Sequence, residues 1–180
     1  MITQQQAQEM LDQVEQTQRR SQQFLGYWQY GVYAQVWGVV WIVAYLTTFF
    51  FSGHNGIIWG VCNAFGGLAT LILRMREGTE GRGENRETWA ILIIVLFGAM
   101  ASMLIGARPK ALEVFWTCLI MTGYMLSGLW TGLRWTILGA AVCAMCLFTY
   151  WFLMPWFELM MAIAGGGGLL LGGTWMRRAI

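Results

Sequence analysis

Charge is scarce in this sequence, and what there is avoids the middle of every apolar stretch. Only 11% of residues are charged, against about 25% in a soluble domain. No Asp, Glu, Lys or Arg falls near the centre of an apolar run. Ion- and proton-coupled transporters usually carry an ionisable group there, so that class lacks its usual signature. A single histidine, His54, serves the whole chain, which leaves a nucleophile–base–acid set little to work with. The glycine-containing loop 77–88 lacks the GK[ST] ending of a phosphate-binding loop and follows no strand. Net charge is only +2 and the basic residues do not gather on one polar face, which argues against nucleic acid as a partner. None of the four cysteines lies in a loop, so an extracellular disulfide framework is not expected. The first 25 residues are polar, the reverse of a cleavable signal, so insertion is expected to be directed by the first spanning helix.

What is present is apolar. Hydrophobic residues make up 57% of the chain, with eleven Trp and twelve Met, a composition that suits interface anchors and lipid-embedded packing. The pattern predicts an all-α, polytopic membrane helical bundle: residues 29–180 form six spans at about 30–51, 57–73, 89–105, 111–133, 135–154 and 155–174, arranged as three hairpins. Each hairpin closes on glycine followed by arginine: Gly66, Gly67 then Arg74, Arg76; Gly123, Gly128, Gly132 then Arg134; Gly165–Gly168, Gly172, Gly173 then Arg177, Arg178. Gly98, Ser102 and Gly106, Gly128 and Gly132, and Ala164, Gly168 and Gly172 form small-residue seams at a spacing of four, which brings helices close. With both termini inside, nine arginines (Arg19, Arg20, Arg74, Arg76, Arg82, Arg86, Arg134, Arg177 and Arg178) are cytoplasmic, against Arg108 and Lys110 outside. That positive-inside bias predicts a multi-pass protein of a bacterial cytoplasmic (inner) membrane. Trp28, Trp89, Trp130, Trp135 and Trp175 are expected near the inner interface, and Trp59, Trp151 and Trp156 near the outer one.

Residues 1–28 read as a separate cytoplasmic amphipathic helix. Ala7, Met10/Leu11, Val14, Thr17, Ser21, Phe24/Leu25 and Trp28 recur in steps of three and four, a heptad-like stripe. One reading lays it against the bilayer surface or the protein's own inner face. The other pairs it with a protein partner or with a second copy.

Three groups of residues carry candidate chemistry. On the expected outer face, His54, Arg108, Lys110, Glu113 and Glu158 lie at one depth. Two carboxylates and an imidazole are the donors of a cation or proton-transfer site. The plainer reading is a Lys110–Glu113 helical ion pair with carboxylates near helix N-termini. Within the bilayer, Asn63, Thr117, Thr122 and Tyr124 are the best lining for a cavity, and Trp37 with Trp41 could stack on a ring-shaped ligand, although packing explains both sets. Cys143-Ala-Met-Cys146 puts two sulfurs on one helix face. It resembles, in those two residues, the intramembrane CxxC of quinone-linked thiol oxidases, which implies electron exchange with a quinone; the alternative is two small buried residues. No metal and no cofactor are expected.

Two function classes follow. The first is a non-enzymatic interaction, regulatory or lipophile-sensing subunit that engages membrane lipids and, through its N-terminal helix, a protein partner. The second is a small-solute, ion or lipid channel or transporter working as a homo-oligomer. An enzyme acting on lipid or quinone comes third.

Overall fold

Backbone amides have no water to bond inside a bilayer, so apolar runs of this length satisfy them within helices. The computed structural model describes the backbone of residues 4–76, 85–106 and 108–178. Within these, the side chains of residues 4–7, 9, 12, 15–26, 28, 29, 85–88 and 130 lie outside the description. Six helices follow in order: α1 (Gln4–Phe50), α2 (Asn55–Arg76), α3 (Asn85–Ile105), α4 (Pro109–Thr131), α5 (Leu133–Phe152) and α6 (Met154–Arg177), with no strand among the described residues. Five stretches are long and apolar enough to cross a membrane: Tyr30–Phe50, Asn55–Arg76, Pro109–Leu129, Leu133–Phe152 and Met154–Arg177. The chain is a multi-pass helical membrane protein. In the expected third span the apolar helix is shorter, Trp89–Ile105.

The expected break between a lead-in and a first span does not occur. α1 runs unbroken through 47 residues. No proline or glycine pair interrupts it at residues 26–31, where Gly26 and Gly31 stand singly, and a continuous helix cannot fold back onto a membrane surface without a kink. Of the positive-inside and tryptophan assignments, the side chains of Arg19, Arg20, Arg82, Arg86, Trp28 and Trp130 lie outside the described residues.

α1 is the element the others share. It packs on α2, on the whole length of α6 and, more narrowly, on α4; α5 packs on α4 and α6; α3 rests on α4. The core is therefore α1, α4, α5 and α6, with α2 and α3 on the periphery. A close approach joins α1 and α6. A Cβ built on Gly38 would lie 2.8 Å from the Gly166 carbonyl oxygen, and one on Gly166 would lie 2.9 Å from that of Gly38. Gly31 and Gly173 repeat the relation two turns away, at 2.9 and 2.6 Å. Ala34, between them, is fully buried. These two heptad-spaced glycine pairs put backbone directly on backbone.

α6 needs an adjustment to keep that face turned inward. Phe157, Met161, Gly165 and Leu169 are all buried. A strict step of four drifts by about 40° per step in an ideal α-helix. Residues Ala162–Gly167 are wound as π-helix, whose wider turn absorbs the drift. The glycine run makes this winding sterically easy. The α4–α5 connection is a single residue, Gly132, at φ 138°; a Cβ there would collide with the Tyr27 hydroxyl.

The glycine contacts give a direct expectation. Gly38→Ala and Gly166→Ala must push a methyl against a backbone carbonyl, and each should destabilise the bundle by about 1–3 kcal/mol. Gly67→Ala projects into open space and should leave stability unchanged or raise it slightly. Denaturation in mixed detergent, followed by circular dichroism, reads the three together; equal effects at Gly38 and Gly67 would contradict the seam.

Candidate functional site

The bundle has two polar ends, and α1 passes through both. At the end formed by the 51–54 turn, Pro109 at the start of α4 orients its first turns, so that Lys110 and Glu113 face α2 and α6. Lys110 forms an ion pair with Glu158 of α6 and a second with Glu113, Nζ to Oε2 3.5 Å. The Asn55 amide of α2 donates to Glu113 Oε1 at 3.0 Å. The ammonium also stands 5.3 Å from the centre of the Phe157 ring, a cation–π distance. Glu158 is only 9% exposed and Glu113 is similarly enclosed. One ammonium thus serves two buried carboxylates. The Asn55 amide and the first-turn position of Glu158 in its α-helical segment offset part of the excess negative charge. The arrangement ties α4 to α6 through charge and α2 to α4 through the Asn55 amide.

His54 and Arg108 stay outside this network, both exposed in the turns that precede α2 and α4. Asn55 takes the place expected of the histidine. The signal for it was the N-terminal residue of a helix, one turn away from the next inward position, Trp59.

Beneath the ion pairs lies an aromatic and hydroxyl layer. Tyr45 of α1 is buried and shares a hydrogen bond of 2.9 Å with Thr117 of α4. Its ring meets Trp41, Trp59 and Phe157 edge-on, with centroids 6.0, 4.8 and 6.3 Å apart. Trp41 packs against Gly165 of α6, while Trp37 packs against Gly66 and donates from Nε1 to Thr70 Oγ1 at 3.2 Å on α2. These tryptophans fill helix interfaces.

The four residues expected to line a cavity occupy separate places. Thr117 bonds Tyr45. Thr122 is exposed and donates back to the Cys118 carbonyl. Tyr124 stacks on Trp135 at the opposite end of the bundle, 5.0 Å between centroids. Asn63 is exposed on α2. Among the described residues, no three His, Cys, Asp or Glu side chains are placed to hold a metal ion together.

The second polar end is where α1 leaves the bundle. Arg134, at the start of α5, lies over the rings of Tyr27 and Trp175 at 5.6 and 4.8 Å and donates to the Trp175 carbonyl at 2.8 Å. Arg177 donates to Gln35 Oε1 at 3.1 Å. Trp135 is a buried hub between Tyr30 and Tyr124. Tyr27, Arg134 and Trp175 thus root α1 in the bundle. Beyond that root, Met10, Leu11 and Val14 are exposed, Leu11 by 64%.

Lys110→Met should leave two facing carboxylates without their shared cation and lower stability by roughly 2 kcal/mol, between the values for exposed and fully buried pairs. Adding Glu158→Gln should recover part of the loss. A thermal melt of Lys110→Met that overlays the wild type would rule the network out as a tie. In comparisons with known proteins the chain matches no family model, no curated protein and no solved structure.

Proposed function

We propose that the protein is a non-enzymatic interaction or regulatory subunit of a bacterial cytoplasmic membrane, with α1 as its reading arm. All six helices cross as three hairpins, and both termini lie in the cytoplasm. Trp89–Ile105 has the 17 residues at the lower limit of a span, about 17–25. Positive-inside charge supports the orientation.

One observation carries the functional reading: the apolar residues Met10, Leu11 and Val14 are exposed on a helix that continues without a break into the centre of the bundle. Residues 4–29 at 1.5 Å each extend about 39 Å. An apolar heptad stripe on such an arm is suited to pairing with a partner helix. Because the same helix carries Tyr45 into the opposite polar end, a partner or a lipophile engaged at one end bears on the other through a single rigid element.

A second reading, a homo-oligomeric channel or transporter, is favoured by the opposite side of α2. There Asn63 is exposed in mid-span, with Gly60 and Gly67 facing open space, and an amide in lipid gains from an interhelical hydrogen bond.

Native mass spectrometry of the mildly solubilised protein separates the two. A second protein bound in stoichiometric amount, and lost in Leu11→Arg/Val14→Arg while the bundle still melts at its usual temperature, is expected for the first reading. Multiples of the 20.4 kDa protomer that persist in this variant and dissociate on Asn63→Leu would replace it with the second.

A further inference from the structure

Arginines gather where α1 leaves the bundle: Arg134 in the first turn of α5, Arg177 in the last turn of α6 and Arg178 just beyond it. Their surroundings differ. Arg177 is turned towards α1: it donates to Gln35, and its stem lies against Gly31. Arg134 is half-buried and held by the Tyr27 ring, the Trp175 ring and the Trp175 carbonyl, which takes one of its N–H donors. Arg178 is exposed. It follows Trp175 by three residues, so helical spacing puts it on the face that carries the Trp175 ring. Two guanidiniums from two helices therefore share one half-exposed tryptophan. Among the described residues, neither Arg134 nor Arg178 has a carboxylate within reach: the described acids, Glu113 and Glu158, lie at the opposite end. On α1 the acid nearest to Tyr27 is Glu15, twelve residues earlier, about 18 Å along the axis. Just inside the arginines both helices turn apolar side chains outward. On α6, Leu171 precedes Trp175 by four and is 72% exposed; on α5, Leu133 and Ile137, four apart, are 68% and 49% exposed. Along one face of α6 an apolar chain, an aromatic ring and a guanidinium thus follow one another, the order of acyl chain, interface and headgroup in a lipid leaflet.

We propose that Arg134 and Arg178 bind the phosphate of an anionic phospholipid whose acyl chains lie along Leu171 and Ile137. Guanidinium offers phosphate paired N–H donors in a matching geometry. The rings of Tyr27 and Trp175 already hold Arg134 in place, so little rotamer freedom is left to lose on binding. A zwitterionic headgroup brings its own ammonium to the phosphate and gains less from two further cations. Free phosphate would satisfy the arginines and leave the apolar ladder uncovered. The same lipid touches the root of α1, because one of the rings beneath Arg134 is that of Tyr27.

The full chain, purified in a mild detergent, is titrated with phosphatidylglycerol or with phosphatidylcholine, and bound lipid is counted by native mass spectrometry. The wild type should keep one phosphatidylglycerol at concentrations where phosphatidylcholine has dissociated. Arg178→Gln should weaken that binding about tenfold, the loss of one charge-assisted hydrogen bond. Arg134→Gln should weaken it at least as much. Arg76→Gln removes an exposed charge at the same end of the bundle, on α2, and should leave it unchanged. Equal binding of the two lipids, equal losses in Arg76→Gln and Arg178→Gln, or displacement of the lipid by an equal concentration of inorganic phosphate would each overturn the proposal. Arg178 is exposed and lies beyond the last turn of α6, so its variant decides the matter even where Arg134→Gln disturbs the root of α1.

Discussion

Everything in this bundle is hung on the contact between α1 and α6, where Gly31 meets Gly173 and Gly38 meets Gly166. Apolar side chains gain nothing by leaving lipid for a protein interface, so association in a bilayer depends on close packing and on whatever polar groups can pair. Backbone against backbone at two heptad-spaced glycine pairs supplies the first. It also places the neighbouring side chains. With α6 this close, Trp41 falls onto Gly165, Leu169 is sealed in, and Phe157 reaches the Tyr45 ring. A larger residue at Gly38 or Gly166 would move all of these outward together.

The π-helical stretch follows from the same contact. α6 has two obligations: to present Gly166 and Gly173 to α1, and to present Glu158 to Lys110 of α4. A uniform α-helix with buried residues at every fourth position would rotate one of those faces away. Widening the helix over Ala162–Gly167 reconciles them. Here a sequence feature, four consecutive glycines, has a mechanical reading: it is where the helix can be rewound without side-chain collisions.

How much of this was legible depended on whether the information was local. Five of the spans, the glycine-rich close of α6 and the three-residue spacing of Lys110 and Glu113 can be seen in the run of residues, because each depends on composition or on neighbours in one helix. Gly31 and Gly38 could not be singled out, since a glycine in an apolar helix says nothing of which helix it faces. Asn55 was missed for the same reason: its partner is 58 positions away. The cavity expected around Asn63, Thr117, Thr122 and Tyr124 assumed that polar residues in a span converge. The structure separates them: Thr117 bonds Tyr45 of α1, while Thr122 returns its hydroxyl to the carbonyl of its own preceding turn. The continuity of α1 was hidden by polarity. The chain changes from glutamine-rich to apolar near Tyr30, and a change in solvent was read as a change in element.

That continuity bears most on what the molecule can do. A helix interrupted at the membrane surface would let its polar segment move independently of the span. α1 has no such joint, and its exit is held by Tyr27 beneath Arg134, with Gly132 leaving room for the ring. On the proposed function, a torque or tilt applied at the exposed Met10, Leu11 and Val14 would meet the Tyr27 collar first and then the glycine seam. Tyr45 in turn contacts Thr117 on α4 and Trp59 on α2, within one or two turns of Glu113 and Asn55. The peripheral helices α2 and α3 lie off this axis: α3 leans on α4, and α2 leans on α1 with a tie to α4 at Asn55. The bundle so divides into a rigid spine, built from backbone contact and capped by charge at both ends, and two lateral helices whose outward faces are still available.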